Sequence, residues 1–455
     1  MRAQEALNCC RVLTRVIPLV YESPAPEDGA AGASLEQTAL WKPRTRMRAT
    51  RAPSDASSML RQPAEDDKSD QFVLGDGDES MQGQSPRPKL SDPLQADSAP
   101  DAQPAPTEAV EATVGHSLLD TLLELLFHAG FTMPWTDEQL SSMQEDVSRV
   151  HFTIWESGIG SPMDVQDTHA VHIERRSEVM RLLLVLLSKP MYVTAAEQAS
   201  TTMDALEHVA CTLEKHVVLA FLCSMLNTVL NYRQADGWGY LPESVFGHDT
   251  VRDSITSLCL QVLGALLTYE PRSPPEPERN LFLFYTRKLY RTNDFAFIRA
   301  GSGKIFGNCI ARSTGGFALS GPSDRTFEVT SEEHVSEWLV VLWTLVRDNP
   351  AFRTHVAESR LVSLDMLTWL LFVALTNKST RPAHGQVQLA VFLLQELTSE
   401  RSFCLQLGAP GSAAQVRLPS RLLRQQGSVG MDVLIEAVYT PVSYTHLRAH
   451  ETSLH

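Results

Sequence analysis

Cysteine is sparse in this sequence, with seven in 455 residues. Cys9 and Cys10 are adjacent, while Cys211, Cys223, Cys259, Cys309 and Cys404 are scattered, and no Cys-x-x-Cys pair occurs. This excludes a disulfide framework and a structural zinc site of the usual spacing, and it suits a reduced, cytosolic-facing compartment. Basic surplus is missing as well. Thirty-nine Lys and Arg against 54 Asp and Glu leave a formal charge of −15. Phosphate attraction needs the opposite balance, so no nucleic acid is expected as a partner. No apolar run reaches the roughly 20 residues that span a bilayer. The longest, Val217 to Leu230, carries Ser224, Asn227 and Thr228; Val179 to Leu187 and Leu364 to Leu375 are shorter. All three read as buried core helices. The N-terminus lacks the apolar core and cleavage site of a secretory signal, so Asn377-Lys378-Ser379 is an idle match to a glycosylation acceptor.

Catalytic signatures are also missing. There is no Gly-x-Ser-x-Gly elbow, no His-Glu-x-x-His and no EF-hand loop. Gly301-Ser-Gly-Lys304 invites a phosphate-loop reading. However, Ile298 stands where the first glycine belongs, Ile305 where Ser or Thr belongs, and no strand precedes it. It reads as an ordinary loop. His169 and His172 lie near Asp164, Asp167 and Glu174. Without a Cys or third His they read as a chance cluster on a solvated loop rather than a metal site. No catalytic residue, cofactor or metal is expected, and the chain is read as a non-enzyme.

Helical periodicity is what the sequence does have. Ala6, Cys10, Leu13, Ile17 and Val20 mark a helix over residues 1–22. Residues 23–113 follow as a low-complexity linker; positions 23–112 hold 11 of the 26 prolines along with acidic clusters such as Asp76-Gly-Asp-Glu79. Such a stretch buries too little apolar surface to offset its ordering entropy and is expected to be disordered, apart from a short helix near Leu35 to Leu40. Residues 114–441 then carry a succession of apolar stripes. Ser117-Leu-Leu-Asp120 and Thr330 to Glu333 resemble capping boxes. Met203, Leu206, Ala210, Leu213, Val217 and Phe221 form one stripe. Val251 to Leu266, Val335 to Val346, Leu364 to Leu375 and Val387 to Thr398 form others. Strand alternation is nearly absent; Gly316 to Leu319 and Arg325 to Val329 read as short extended pieces inside a loop. Helices apolar on more than one side suit stacked pairs, so the expected fold is an all-α, irregular armadillo/HEAT-like α-solenoid, with a globular all-α bundle as the alternative.

Two surface features carry a partner reading. Lys42, Arg44, Arg46, Arg48 and Arg51 put five cations into ten linker residues; with no amphipathic stripe beside them they read first as a block that offsets acidic neighbours, and second as a contact for anionic lipid or an acidic partner. Trp238 in Gly237-Trp-Gly-Tyr-Leu-Pro242 reads as a turn pinned to the helical body by its aromatic. Residues 442–455 resemble a translated sequencing adapter and are set aside as an artefact, which makes the chain a fragment of something longer.

Several phrases resemble one family. They include Asn8-Cys-Cys-Arg-Val-Leu-Thr-Arg-Val-Ile-Pro-Leu-Val-Tyr-Glu22, Leu118-Leu-Asp-Thr-Leu-Leu-Glu-Leu-Leu-Phe-His-Ala-Gly-Phe-Thr132 and Ile154-Trp-Glu-Ser-Gly-Ile-Gly160. Others are Glu178-Val-Met-Arg-Leu-Leu-Leu-Val-Leu-Leu-Ser188, Leu226-Asn-Thr-Val-Leu-Asn-Tyr232 and the stretch Phe392 to Phe403. In content and order they look like the high-temperature-induced dauer-forming protein family, relatives of dymeclin, over roughly residues 3–22 and 114–408. The resemblance implies a helical, non-enzymatic scaffold or adaptor lying peripherally on the cytosolic side of Golgi and trans-Golgi membranes. Its partners would be other proteins of the secretory pathway, and its roles secretory-granule biogenesis, cargo sorting and vesicle trafficking; the alternative is a general α-helical-repeat protein-binding scaffold unrelated to the Golgi. Members can carry an N-terminal glycine for myristoylation; Met1-Arg2 offers none here, so peripheral membrane contact is expected of the full-length protein.

Overall fold

Every regular element among the described residues is a helix. The computed structural model describes residues 2–23, 34–43, 113–135, 149–161, 169–198, 200–232, 243–271, 279–313, 334–378, 380–420, 422–423 and 427–439. Backbone pairing outside helices is limited to isolated bridges such as Pro43–Thr113 and His128–Val150.

The helices fall into successive three-helix units. The first holds α1 (Arg2–Glu22), a π-helical turn (Gln37–Trp41) and α2 (Val114–Leu126). The second holds α3 (Ala170–Leu187), α4 (Asp204–Cys211) and α5 (Lys215–Leu230). Next come α6 (Glu243–Leu267), α7 (Leu281–Arg287) and α8 (Thr292–Ser313), then α9 (Val335–Asp348), α10 (Pro350–Glu358) and α11 (Arg360–Asn377). The last unit has α12 (His384–Ser399), α13 (Arg401–Leu407) and a helix over 430–439. The leading helices stack in order: α1 on α3, α3 on α6, α6 on α9, α9 on α12. A second layer runs α5, α8, α11, and the layers meet where α5 packs on α6 and α11 on α12. This is the irregular solenoid expected from the sequence. Each helix buries its apolar stripe against both neighbours, so one hydrophobic cluster runs continuously from Leu7 to Ala437.

The body of α5 is enclosed on all sides, whereas α8 leaves Thr292, Asn293, Ala296 and Ala300 exposed. Every residue from Val217 to Leu230 is buried, as the unbroken apolar run predicts. Arg360–Asn377 is long and apolar enough to cross a bilayer by length and composition, and 72% of it is buried against its neighbours.

The structure corrects several sequence readings. The stripe from Met203 to Phe221 is two helices, α4 and α5, set at 100°, because Glu214 adopts an extended conformation (φ −67°, ψ 145°) that stops the first and starts the second. Helix α2 starts before the Ser117–Asp120 pattern: Thr113 is its N-cap and accepts from the His116 N–H at 3.1 Å. His172 and Glu174 lie on helix α3 rather than on a solvated loop. Gly301-Ser-Gly-Lys304 is interior to α8, not a loop. A Cβ on Gly301 would stand 2.4 Å from Leu230 Cδ2 and 2.8 Å from Leu230 Cα, so the glycine is there to let α8 approach α5. Ser302 Oγ accepts from Trp338 Nε1 at 3.0 Å, tying α8 to α9. Within the linker, the short helix expected near Leu35 to Leu40 is present over residues 35–41, with Leu40 and Trp41 buried. The linker segment 44–112, the Trp238 turn, the extended pieces at 316–319 and 325–329, the Thr330–Glu333 box and the 442–455 tail lie outside the described residues.

Polar side chains tie helices together within and between units. Asn280 caps α7 by accepting from Leu283 N–H at 3.1 Å and donates to Leu266 O and Tyr269 O at 2.7 and 2.9 Å. Asn349 caps α10 the same way, accepting from Phe352 N–H at 2.8 Å, and donates to Thr286 O and Leu289 O of the preceding unit at 2.9 and 2.8 Å. Ion pairs follow the same line: Arg279–Glu207 at 2.9 Å, Arg287–Asp348 at 3.1 Å and Arg353–Glu400 at 3.0 Å.

Candidate functional site

A groove of about 1190 Å³ lies along the leading-helix layer, on α3, α6 and α9. Its floor is the C-terminal half of α6, with Leu260, Gln261, Gly264, Ala265 and Thr268 facing it. One wall is the end of α3 with the turn that follows, where Leu184, Pro190 and Met191 line it. Opposite stand Glu337 and Val340 of α9. The wall turns away at Pro190, which cannot continue α3 and sits in a 3-10 turn over Lys189–Tyr192.

A buried ion pair fixes that turn. Lys189 Nζ donates to Glu36 Oε1 at 2.7 Å, and Trp41 Nε1 donates to the same oxygen at 2.8 Å. Both charged side chains are about nine-tenths enclosed. Trp41 in turn lies over Gly115, where a Cβ would meet its ring at 2.3 Å. The lip carrying Met191 is therefore tied through Glu36 and Trp41 to α2.

The groove lacks the convergent titratable groups of an active site. Among the described residues, Glu270 and Glu337 are its only charged lining residues. Burial pushes the nearby Cys211 thiol up to about 11, helped by Glu207; Cys10 likewise goes up to about 11 and Cys223 to about 12. Thiols shifted in that direction stay protonated near neutrality and are poor nucleophiles.

A second polar centre holds the segment between α2 and α3. Arg176 is fully enclosed, with its guanidinium 4.3 Å from the Trp155 ring centroid and Nη2 donating to Thr132 O at 2.8 Å. Desolvation lowers its pKa to about 10, which leaves it charged at neutral pH. Ile159 N–H donates to Asn227 Oδ1 at 2.8 Å, while Asn227 Nδ2 donates to Glu156 O and Ile159 O. Trp155 N–H donates to Ser224 Oγ, Asn231 donates to Ser157 O, and Arg252 pairs with Glu156. Gly158 has φ +145°, and a Cβ there would meet Asn227 Oδ1 at 2.6 Å. The phrase Ile154 to Gly160 is thus a pinned turn, held by hydrogen bonds to its backbone and by the Arg252–Glu156 ion pair.

Of the basic block, Lys42 is exposed at the end of the π-helical turn, where the chain becomes extended; Arg44, Arg46, Arg48 and Arg51 lie outside the described residues. The two histidines are separated in role. His172 Nδ1 lies 3.0 Å from Phe131 O, while His169 occupies the N-cap position of α3 without a side-chain cap. Among the described residues no group of three metal-ligating side chains converges. His208, which reads from the sequence as an ordinary surface or half-buried histidine, has its Nε2 2.7 Å from Asp120 Oδ1 and its ring stacked on His116 at 4.5 Å. No local signal marks that pair, because its members are on different units.

Comparison with known proteins places this architecture. The chain is 26% identical over 92% of its length to the Ubp5-interacting protein ftp105 of Schizosaccharomyces pombe, covering 46% of that protein. It is 28% identical over 74% of its length to Protein HID1 of Homo sapiens, covering 43% of it, and 25% identical over 64% to Protein HID1 of Dictyostelium discoideum, covering 34%. The chain therefore spans less than half the length of these curated relatives. No solved structure matches it. The model for Hid1, the high-temperature-induced dauer-formation protein, matches residues 1–451. The chain belongs to the Hid1 family.

Proposed function

We propose that this chain is the helical part of a non-enzymatic scaffold or adaptor that works peripherally on Golgi and trans-Golgi membranes and supports secretory-granule biogenesis, cargo sorting and vesicle trafficking. Family membership across residues 1–451 carries the reading. The scaffold half is supported by the fold: stacked units offer long surfaces, and the groove on α3, α6 and α9 is lined mostly by apolar side chains. The fission-yeast relative is named for an interaction with Ubp5, and action through binding suits such a surface. Lys42 and the cations that follow it would supply one weak electrostatic contact to anionic lipid; stable attachment needs a second signal.

The test is the distribution of the complete tagged protein in cells. Coincidence with a trans-Golgi marker, and release from membranes by high salt or alkaline wash rather than only by detergent, is the expected result. A diffuse or nuclear distribution overturns the Golgi assignment. Stoichiometric metal in the purified protein, lost when His169 and His172 are both changed, overturns the non-enzymatic one.

A further inference from the structure

We propose that the groove on α3, α6 and α9 docks an amphipathic helix with a basic polar face, contributed by a partner protein. This rests on the scaffold reading above and names the partner's chemistry. Four observations carry it. At about 1190 Å³ the groove exceeds the roughly 300–1,000 Å³ of small-molecule pockets, so its occupant has the size of a peptide. Gly264 faces it from the middle of α6, and no atom lies within 4 Å of where its Cβ would stand. A glycine inside a helix costs about 1 kcal/mol relative to alanine, and nothing among the described residues uses the space it leaves. The opening is free for another backbone to come close.

Met191 stands on the lip with 85% of its surface exposed. A flexible thioether beside an apolar floor suits grooves that adapt to helical ligands. Among the described residues the charge is of one sign: Glu270 and Glu337 line the groove, and neither is engaged in an ion pair there. A helix with Lys or Arg flanking its apolar stripe would satisfy both, while one with acidic flanks would be repelled.

The test uses the full chain and two synthetic helical peptides, one of leucine and lysine and one of leucine and glutamate at the same periodicity. Binding is read by fluorescence anisotropy. The lysine peptide is expected to bind, and Gly264→Trp to weaken it at least about tenfold without lowering the melting temperature. Glu270→Lys with Glu337→Lys should weaken the lysine peptide and admit the glutamate peptide. If the tryptophan variant fails to fold, Gln261→Arg, at an exposed position on the floor, provides the same block. Equal affinity for both peptides overturns the proposal, as does binding indifferent to Gly264→Trp. So does self-association of the wild-type chain that Gly264→Trp abolishes, which would make the occupant a second copy. Golgi localisation without lysine-peptide binding sinks this inference alone; lysine-peptide binding with a diffuse distribution sinks the trafficking reading alone.

Discussion

Glu36 and Lys189 lie 153 positions apart in sequence and meet at 2.7 Å in a nearly enclosed ion pair that positions the lip of the groove. Removing one member leaves the other charge buried without its partner, which typically costs about 3–5 kcal/mol. Lys189→Met should therefore lower stability by about 3 kcal/mol in urea unfolding, and the double change Glu36→Gln with Lys189→Met should lose clearly less. Equal losses in the single and double variants would show that the pair does not couple.

Asn349 joins two units through one side chain, capping α10 and holding the end of α7. Asn349→Ala removes the cap and leaves two buried carbonyls short of a donor, so a loss of about 3 kcal/mol is expected. Asn349→Asp keeps the acceptor but turns negative charge toward those carbonyls. Its loss should be at least as large at neutral pH and should shrink on acidification, measured as urea midpoints across the pH range.

Two glycines inside helices should respond in opposite directions to the same change. Gly301→Ala drives a methyl into Leu230, side chain and backbone alike, and should destabilise by about 1–3 kcal/mol despite alanine's helix propensity. Gly264→Ala meets open space and should stabilise by up to about 1 kcal/mol. Differential scanning calorimetry of the two variants decides the matter; a shift of the same sign in both would contradict the close approach of α8 to α5.

Burial holds His116 below the ordinary histidine range, reinforced by His208 and opposed by Asp120 and Asp204. Burial lowers His172 and His355 in the same way. Below about pH 6.5 the unfolded chain protonates these imidazoles while the folded chain resists. The unfolded state then holds more protons, so these groups make stability rise with pH and fall as pH drops from about 6.5 toward 5. His116→Phe should flatten that part of the profile; an unchanged slope would show that His116 does not contribute to it.

The local register of apolar residues was enough to announce helices at Val179 to Leu187, Val217 to Leu230 and Leu364 to Leu375, because a run that is apolar all round has no stable place except inside a stack. It was also enough to call an all-α solenoid, since periodicity near 3.6 without alternation leaves few other architectures. Periodicity could not show the break at Glu214, where the stripe continues across a corner, nor that Gly301-Ser-Gly-Lys304 is helical. Glycine marks loops by its freedom and helix contacts by its size, and only the neighbour, Leu230, says which applies.

The three-helix repeat and the groove belong to tertiary structure alone. Connections of very different length separate the units, so Asn280 and Asn349 hold no constant spacing and show no period in the sequence. Gly264, Met191 and Glu337 become one surface only when α3, α6 and α9 stack. Composition and periodicity determined that the chain would form helices needing neighbours. Which neighbours they found, and what hollow was left between them, followed from contacts between residues far apart in sequence, and those depend on shape complementarity that no local pattern encodes.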